Sequence, residues 1–144
     1  MRSTFLRSAL TGLACVSALA FALPASAEVV NLKATLSGKT EVPPNSSAGT
    51  GAVTAAYDTN SKKLTWKGTY SGLSGPATAA HFHGPAEAGK NAGVAIPISP
   101  NASPFEGSAT LTDAQAADLL AGKWYVNLHT EANKAGELRG QLTK

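Results

Sequence analysis

The chain has 144 residues, of which 12 are Lys or Arg and nine are Asp or Glu, and its formal net charge at pH 7 is +3. Two of the arginines fall within the first seven residues, so the charge of the remaining chain is nearly balanced and forms no basic cluster. This distribution argues against nucleic acid or a membrane surface as a partner, and a single cysteine excludes a fold held by disulfides.

The first 27 residues contain the three parts of a secretory signal peptide, in order. A positively charged start precedes an uncharged apolar run over residues 9–23, and the Ala-Ser-Ala sequence at 25–27 is a small-x-small cleavage site. The run covers about 15 residues, whereas a transmembrane helix needs roughly 20. We therefore predict cleavage before Glu28 and a protein that is secreted or periplasmic. Lipid attachment at Cys15 is less favoured, because the residue three positions before it is not the usual apolar one.

Residues 28–144 have the size of one domain, and Gly- and Pro-rich turns separate their short apolar stretches. Strand patterns recur at short spacing, at residues 30–36, 50–57, 64–70, 77–83, 94–98, 105–111, 124–129 and 137–142. This spacing is typical of an all-β sandwich or barrel.

One segment departs from the strand pattern. Thr112 and Gln115 have the spacing of a capping box, in which each side chain bonds the backbone N–H of the other residue. Helix-forming alanines and leucines follow, and Gly122 is a typical residue at a helix end. We predict one short helix over residues 113–121 that joins two strands.

The chain has only three histidines, His81, His83 and His129. Because alternate side chains of a strand share a face, His81 and His83 point the same way, roughly 7 Å apart, and Phe82 points the opposite way. In the strand at 124–129, the same alternation separates His129 from the large apolar residues. We predict that Phe82 and these apolar residues are buried, and that all three histidines lie on the face away from the core.

Two imidazoles on one strand and a third from another strand can converge on one metal ion. Imidazole nitrogen suits copper, zinc, iron or nickel. The chain after residue 27 has no Cys and no Met, which excludes thiolate and thioether sites. It also has no G-x-S-x-G sequence and no phosphate-binding loop, so nucleophilic catalysis is disfavoured. The alternative is that the histidines are ordinary polar residues on a solvated face.

A pair of charged residues lies near the C-terminus. Glu137 and Arg139 are two positions apart in a predicted strand, so they share a face. The pattern favours an ion pair at the surface, which contributes little to stability, over a binding role outside the histidine site.

Ordered sequence blocks over most of residues 28–144 resemble the CHRD domain, a module named after chordin and widespread in bacterial secreted proteins. The blocks are Leu-Ser-Gly at 36–38 with Glu-Val-Pro-Pro at 41–44, Tyr-Ser-Gly-Leu-Ser-Gly-Pro at 70–76, Ala-Ala-His-Phe-His-Gly-Pro-Ala at 79–86, Leu-Thr-Asp-Ala-Gln at 111–115, Tyr-Val-Asn-Leu-His-Thr at 125–130 and Gly-Glu-Leu-Arg-Gly-Gln-Leu at 136–142. The family's His-x-His pair often has Ile or Val in the middle, and Phe82 keeps that position apolar.

The resemblance implies an immunoglobulin-like, Greek-key β-sandwich of about eight strands over residues 28–144. The fold is also similar to that of copper–zinc superoxide dismutase, which places a His-x-His pair and a histidine from a later strand on the outside of its barrel. This chain lacks a fourth copper-ligating histidine, a bridging histidine, a zinc loop and the disulfide, so dismutase activity is the least favoured function. The CHRD family implies no settled activity, and chordin itself is an extracellular binder of growth factors.

We predict a metal-binding protein in which His81, His83 and His129 are the ligands of one ion, with a fourth position open to water or a carboxylate. Copper is the leading ion because it has the highest affinity in the divalent series, and zinc is the alternative. The competing hypothesis is a non-catalytic extracellular adhesion or protein-interaction module, whose partner is another secreted protein. Convergence of the three imidazoles distinguishes these hypotheses, and an enzymatic role is less favoured than either.

Overall fold

A computed structural model describes residues 28–144, and the predicted signal peptide of residues 1–27 lies outside them. Eight strands and one α-helix follow one another in this part of the chain: β1 (Val29–Ser37), β2 (Thr50–Asp58), β3 (Lys63–Ser71), β4 (Ala77–His83), β5 (Val94–Pro97), β6 (Phe105–Thr110), α1 (Asp113–Leu120), β7 (Tyr125–Thr130) and β8 (Leu138–Gln141). A single 3-10 turn follows β1. Within the described residues, no helix combines the length and the apolar character that crossing a membrane requires.

All neighbouring strands are antiparallel, and their order across the sheet is β5-β4-β7-β8-β1-β2-β3-β6. The sheet is nearly closed around one hydrophobic core, to which strands from both of its halves contribute. Trp66 of β3 meets Phe82 of β4 across this core, with ring centres 5.0 Å apart in an edge-to-face arrangement. The prediction of an all-β, sandwich-like fold of about eight strands is confirmed.

Alternation of apolar and polar residues explains the first three strands. In β1, Leu32, Ala34 and Leu36 are buried and the residues between them are exposed, and β2 and β3 repeat this pattern. Strand β7 differs, because residues 125–128 are all buried. One face of β7 packs in the hydrophobic core, and the other lies beneath loops. The structure therefore has a second, polar layer over part of the sheet.

The predicted capping box is present at the start of α1. The Thr112 hydroxyl accepts a hydrogen bond from the Gln115 N–H at 3.2 Å, and the Gln115 side-chain oxygen accepts one from the Thr112 N–H at 3.0 Å. The helix ends at Leu120, one residue earlier than predicted, and Gly122 follows with a φ of +74°. Leu119 is fully buried, which anchors the helix to the core.

Substitution of Phe82 tests the core packing that supports β4, the strand that carries His81 and His83. Phe82 lies between the two histidines of β4 in sequence, but its side chain is fully buried on the opposite face and packs against Trp66 and Trp124. We expect Phe82→Ala to lower the free energy of unfolding by about 3–5 kcal/mol, because a large core side chain is replaced by a cavity. Urea denaturation followed by tryptophan fluorescence measures the loss. A loss below about 1 kcal/mol would contradict the core packing described here.

Candidate metal centre

The pairing of β4 with β7 places the three histidines on one face of the sheet. In this antiparallel pair, His81 lies opposite Asn127, and His129 lies opposite Ala79, so His81 and His129 are diagonal neighbours. Phe82, from the other face of β4, is fully buried in the core. The predicted alternation is confirmed, and the structure adds that the two strands are neighbours in the sheet.

The three imidazoles converge. One ring nitrogen from each of His81, His83 and His129 lies within 4.8 Å of the other two. The ring centres of His81 and His129 are 5.0 Å apart, and those of His81 and His83 are 5.4 Å apart. Among residues 28–144, no carboxylate joins this group.

Backbone carbonyls orient two of the rings. His83 donates its Nδ1–H to the Ala92 carbonyl at 3.0 Å, and His129 donates its Nδ1–H to the Lys134 carbonyl at 2.9 Å. These bonds leave the Nε2 atom of each ring unprotonated, as a metal ligand requires. Among residues 28–144, the Nε2 atom of His83 is buried without a hydrogen-bond partner, as are Trp66 Nε1 and Gln141 Oε1. Such an atom calls for an explanation, and a bound ion is one.

His81 completes the cluster with its other ring nitrogen. Its Nδ1 lies 3.2 Å from the Nε2 of His129. Two nitrogens bound to one tetrahedral ion with bonds of about 2.0 Å are about 3.3 Å apart, so this pair already has the required separation. Three nitrogen donors fit a transition-metal ion, with Nδ1 from His81 and Nε2 from His83 and His129.

The protonation state of the two histidines of β4 also favours metal binding. Burial lowers the pKa of His81 below its ordinary 6.5, and the neighbouring His129 and His83 lower it further. Burial likewise lowers the pKa of His83, while its hydrogen bond to Ala92 acts in the opposite direction. Both rings are therefore neutral at pH 7, which is the form that binds a metal ion.

The face that carries the histidines is less exposed than the sequence predicts. Tyr125 and Asn127, which alternate with the core residues of β7, are only 4% and 3% exposed. The Tyr125 hydroxyl donates to the Ala92 carbonyl at 3.2 Å and accepts from the Ala92 N–H at 3.1 Å. The loop between β4 and β5 therefore covers this part of the face and supplies the carbonyl that orients His83.

Asn127 links the same face to the loop that follows β1. Its side-chain amide donates to the Glu41 carboxyl group and to the Leu138 carbonyl. Burial raises the pKa of Glu41 to about 7, although the positive charge of Arg139 and local hydrogen bonds oppose that rise. The opposing contributions leave Glu41 partly protonated at neutral pH.

The predicted surface ion pair between Glu137 and Arg139 is wrong. Glu137 has no exposed surface, and Arg139 is only 2% exposed. No salt bridge joins them within residues 28–144. Instead, the Arg139 guanidinium donates to the Asn91 side chain at 2.8 Å and to the Lys90 carbonyl at 2.6 Å.

Glu137 is the centre of a hydrogen-bond network between loops. Its carboxylate accepts five bonds, from the Ser47 hydroxyl, the Ser74 N–H and hydroxyl, the Thr130 hydroxyl and the Asn133 amide. The network holds the 131–137 loop, which supplies the Lys134 carbonyl that orients His129. Sequence pattern misses this role because Ser47 and Ser74 are far from Glu137 in the chain; only Thr130 and Asn133 give a local signal.

Comparison with models of known protein families gives a match over most of the chain. A model of the CHRD domain family matches residues 32–142. CHRD domains occur in extracellular proteins. No curated protein and no solved structure matches the chain, so the expected similarity in fold to superoxide dismutase is not confirmed.

Glu137 provides a test of the loop network. Burial alone would raise its pKa, but the hydrogen bonds from Ser74, Thr130 and Ser47 outweigh that effect and lower the pKa to about 2. This pKa lies below the unfolded value of 4.5. The ionised carboxylate therefore stabilises the folded state above pH 4.5, and this contribution is lost as the pH falls towards 2. We expect Glu137→Gln to lower the free energy of unfolding at pH 7 by about 1–3 kcal/mol. The reason is that the glutamine NH₂ group is itself a donor and would face the donors that the carboxylate accepts from.

Denaturant unfolding of wild type and Glu137→Gln between pH 7 and pH 2 measures this difference. The gap in unfolding free energy between them should narrow on acidification. An exposed substitution, Glu106→Gln, serves as the control, because its partner Lys67 is also exposed. A gap that stays constant down to pH 2 would rule out the stabilising role of the ionised carboxylate.

Proposed function

The chain belongs to the CHRD domain family, and we propose that it binds one transition-metal ion, with copper as the leading occupant, through His81, His83 and His129. The supporting observation is that the three imidazole nitrogens converge within 4.8 Å. Two of the rings are also fixed by carbonyls that hold their lone pairs towards the shared space. Such outer hydrogen bonds are the usual support of metal-binding histidines.

Copper is favoured over zinc by the affinity order of divalent ions for nitrogen donors. Three neutral imidazoles leave room for a fourth ligand, which water or a small molecule can supply. An open position of this kind suits a protein that captures copper and passes it on, or that sequesters it. We propose this binding role rather than an enzymatic one.

The competing role is a protein-interaction module with no metal. That role requires only polar side chains on an accessible face. It does not account for the buried Nε2 atom of His83, which has no hydrogen-bond partner in the described part of the chain, nor for two carbonyls that orient rings towards a common point. The geometry therefore favours the metal site.

We further propose that the protein acts outside the cytoplasm, after removal of residues 1–27. CHRD domains occur in extracellular proteins, and the leader has the three parts of a signal peptide. Mass spectrometry of protein recovered from its native export route should find Glu28 at the N-terminus. Recovery of the chain with Met1 intact, or with a lipid on Cys15, would contradict this proposal.

Substitution of each histidine tests the ligand set. His81→Ala, His83→Ala and His129→Ala should each weaken copper binding by more than the roughly 10–100-fold that loss of an outer hydrogen-bond partner costs. The matched control is Glu87→Ala in the loop after β4, whose side chain is exposed and forms an ion pair with the half-exposed Lys123. Competition with a chromophoric chelator of known affinity measures each constant.

The outcome depends on all three variants. Wild type and Glu87→Ala should bind one equivalent of copper with the same affinity, while the three histidine variants should not. If His129→Ala binds one equivalent as tightly as wild type, the three-histidine site is wrong, and the interaction-module hypothesis replaces it.

The pH dependence of binding provides a separate test. Protons compete with the metal ion for imidazole nitrogen, so affinity should fall on acidification. Because the pKa values of His81 and His83 are lowered, most of the loss should occur below about pH 6.5. Chelator competition at a series of pH values measures the profile. Binding that is unchanged down to about pH 4 would exclude histidine ligands.

A further inference from the structure

A stack of three planar groups leads from the candidate metal site into the buried polar layer. The rings of His83 and Tyr125 are parallel within 3°, with centres 4.8 Å apart. The Arg139 guanidinium carbon lies 3.5 Å from the centre of the Tyr125 ring. Because β7 lies between β4 and β8 in the sheet, the tyrosine ring is held between His83 on one side and Arg139 on the other.

The stack is fixed by hydrogen bonds at both ends. The Ala92 carbonyl accepts from both His83 and the Tyr125 hydroxyl, so one backbone group sets the position of both rings. At the other end, Asn91 and the Lys90 carbonyl bind the guanidinium. These acceptors are adjacent in one loop, which therefore fixes the ligand His83, the tyrosine and the arginine together.

Arg139 brings a permanent positive charge close to the site. Arginine side chains carry their positive charge throughout the physiological pH range. The side chain of Arg139 is 2% exposed and forms no salt bridge within residues 28–144. The two stacking distances place its central carbon no more than about 8.3 Å from the His83 ring centre. Glu41 is the nearby carboxyl group that responds to this charge, and it is only partly ionised at neutral pH.

A buried cation beside three neutral ligands disfavours each additional positive charge on a bound ion. We infer that Arg139, held against Tyr125 and His83, is a specificity-determining residue that biases the three-histidine site towards monovalent Cu⁺ over divalent ions. This inference rests on the proposed metal-binding function. At a separation on the order of 10 Å and an effective dielectric constant of about 20, one extra unit of charge costs a factor on the order of ten in affinity.

Tyr125 acts through His83 and is a positioning residue. Its ring separates the guanidinium from the imidazole, and its hydroxyl shares the Ala92 carbonyl with His83.

The experiment compares wild type, Arg139→Gln, Arg139→Lys and the remote control Lys67→Gln as full, copper-loaded chains. Lys67 is an exposed cation on β3, in the other half of the sheet. Redox titration of the bound copper reports the ratio of the Cu²⁺ and Cu⁺ affinities. Arg139→Gln should shift this ratio about tenfold towards Cu²⁺ and so lower the midpoint potential, while Arg139→Lys and Lys67→Gln should leave it close to the wild-type value.

Each outcome is decisive. A folded Arg139→Gln that binds one copper with an unchanged or raised potential overturns the inference and leaves the proposed function intact. Failure of wild type to bind copper overturns both. Should Arg139→Gln fail to fold, Arg139→Leu, which also removes the charge, takes its place in the same redox titration: a lowered midpoint potential supports the inference, and an unchanged or raised one overturns it.

Discussion

The antiparallel pairing of β4 with β7 is the constraint on which the rest of the structure depends. It buries Phe82 and Leu128 in the core and leaves the histidines of both strands on the opposite face. A slip of one residue in either strand would exchange its two faces, placing imidazole in the core and large apolar side chains outside. Burial of the apolar residues therefore fixes the register, and the register brings His81 and His129 into contact.

A second layer of polar groups converts this arrangement into a defined site. The loop after β4 supplies the Ala92 carbonyl, and the loop after β7 supplies the Lys134 carbonyl, which orient their two histidines. Glu137 and Arg139 hold these loops from beneath, and both charged side chains are almost completely buried. Buried charges are costly unless they are hydrogen-bonded, so full satisfaction of Glu137 by neighbouring hydroxyl and amide groups gives the network a single stable geometry.

Much of the fold could be predicted from local sequence pattern. Strand patterns between turn residues located the eight strands. The Thr112–Gln115 capping box located the start of the helix, and Gly122 located its end to within one residue. The common face of the histidines followed from parity alone. The covering layer could not be predicted, because its bonds join distant segments: Ser47 is 90 positions from Glu137, and no short pattern encodes such a contact. The interpretation of Glu137 and Arg139 as a surface pair failed for this reason.

A crystal structure of the copper-loaded protein tests the central claim most directly. The account predicts one copper ion bound by Nδ1 of His81 and by Nε2 of His83 and His129, at distances of about 2.0 Å. The hydrogen bonds from the two oriented rings to their carbonyls should persist. Copper bound elsewhere in the chain, or bound by only two of the three imidazoles, would contradict the account.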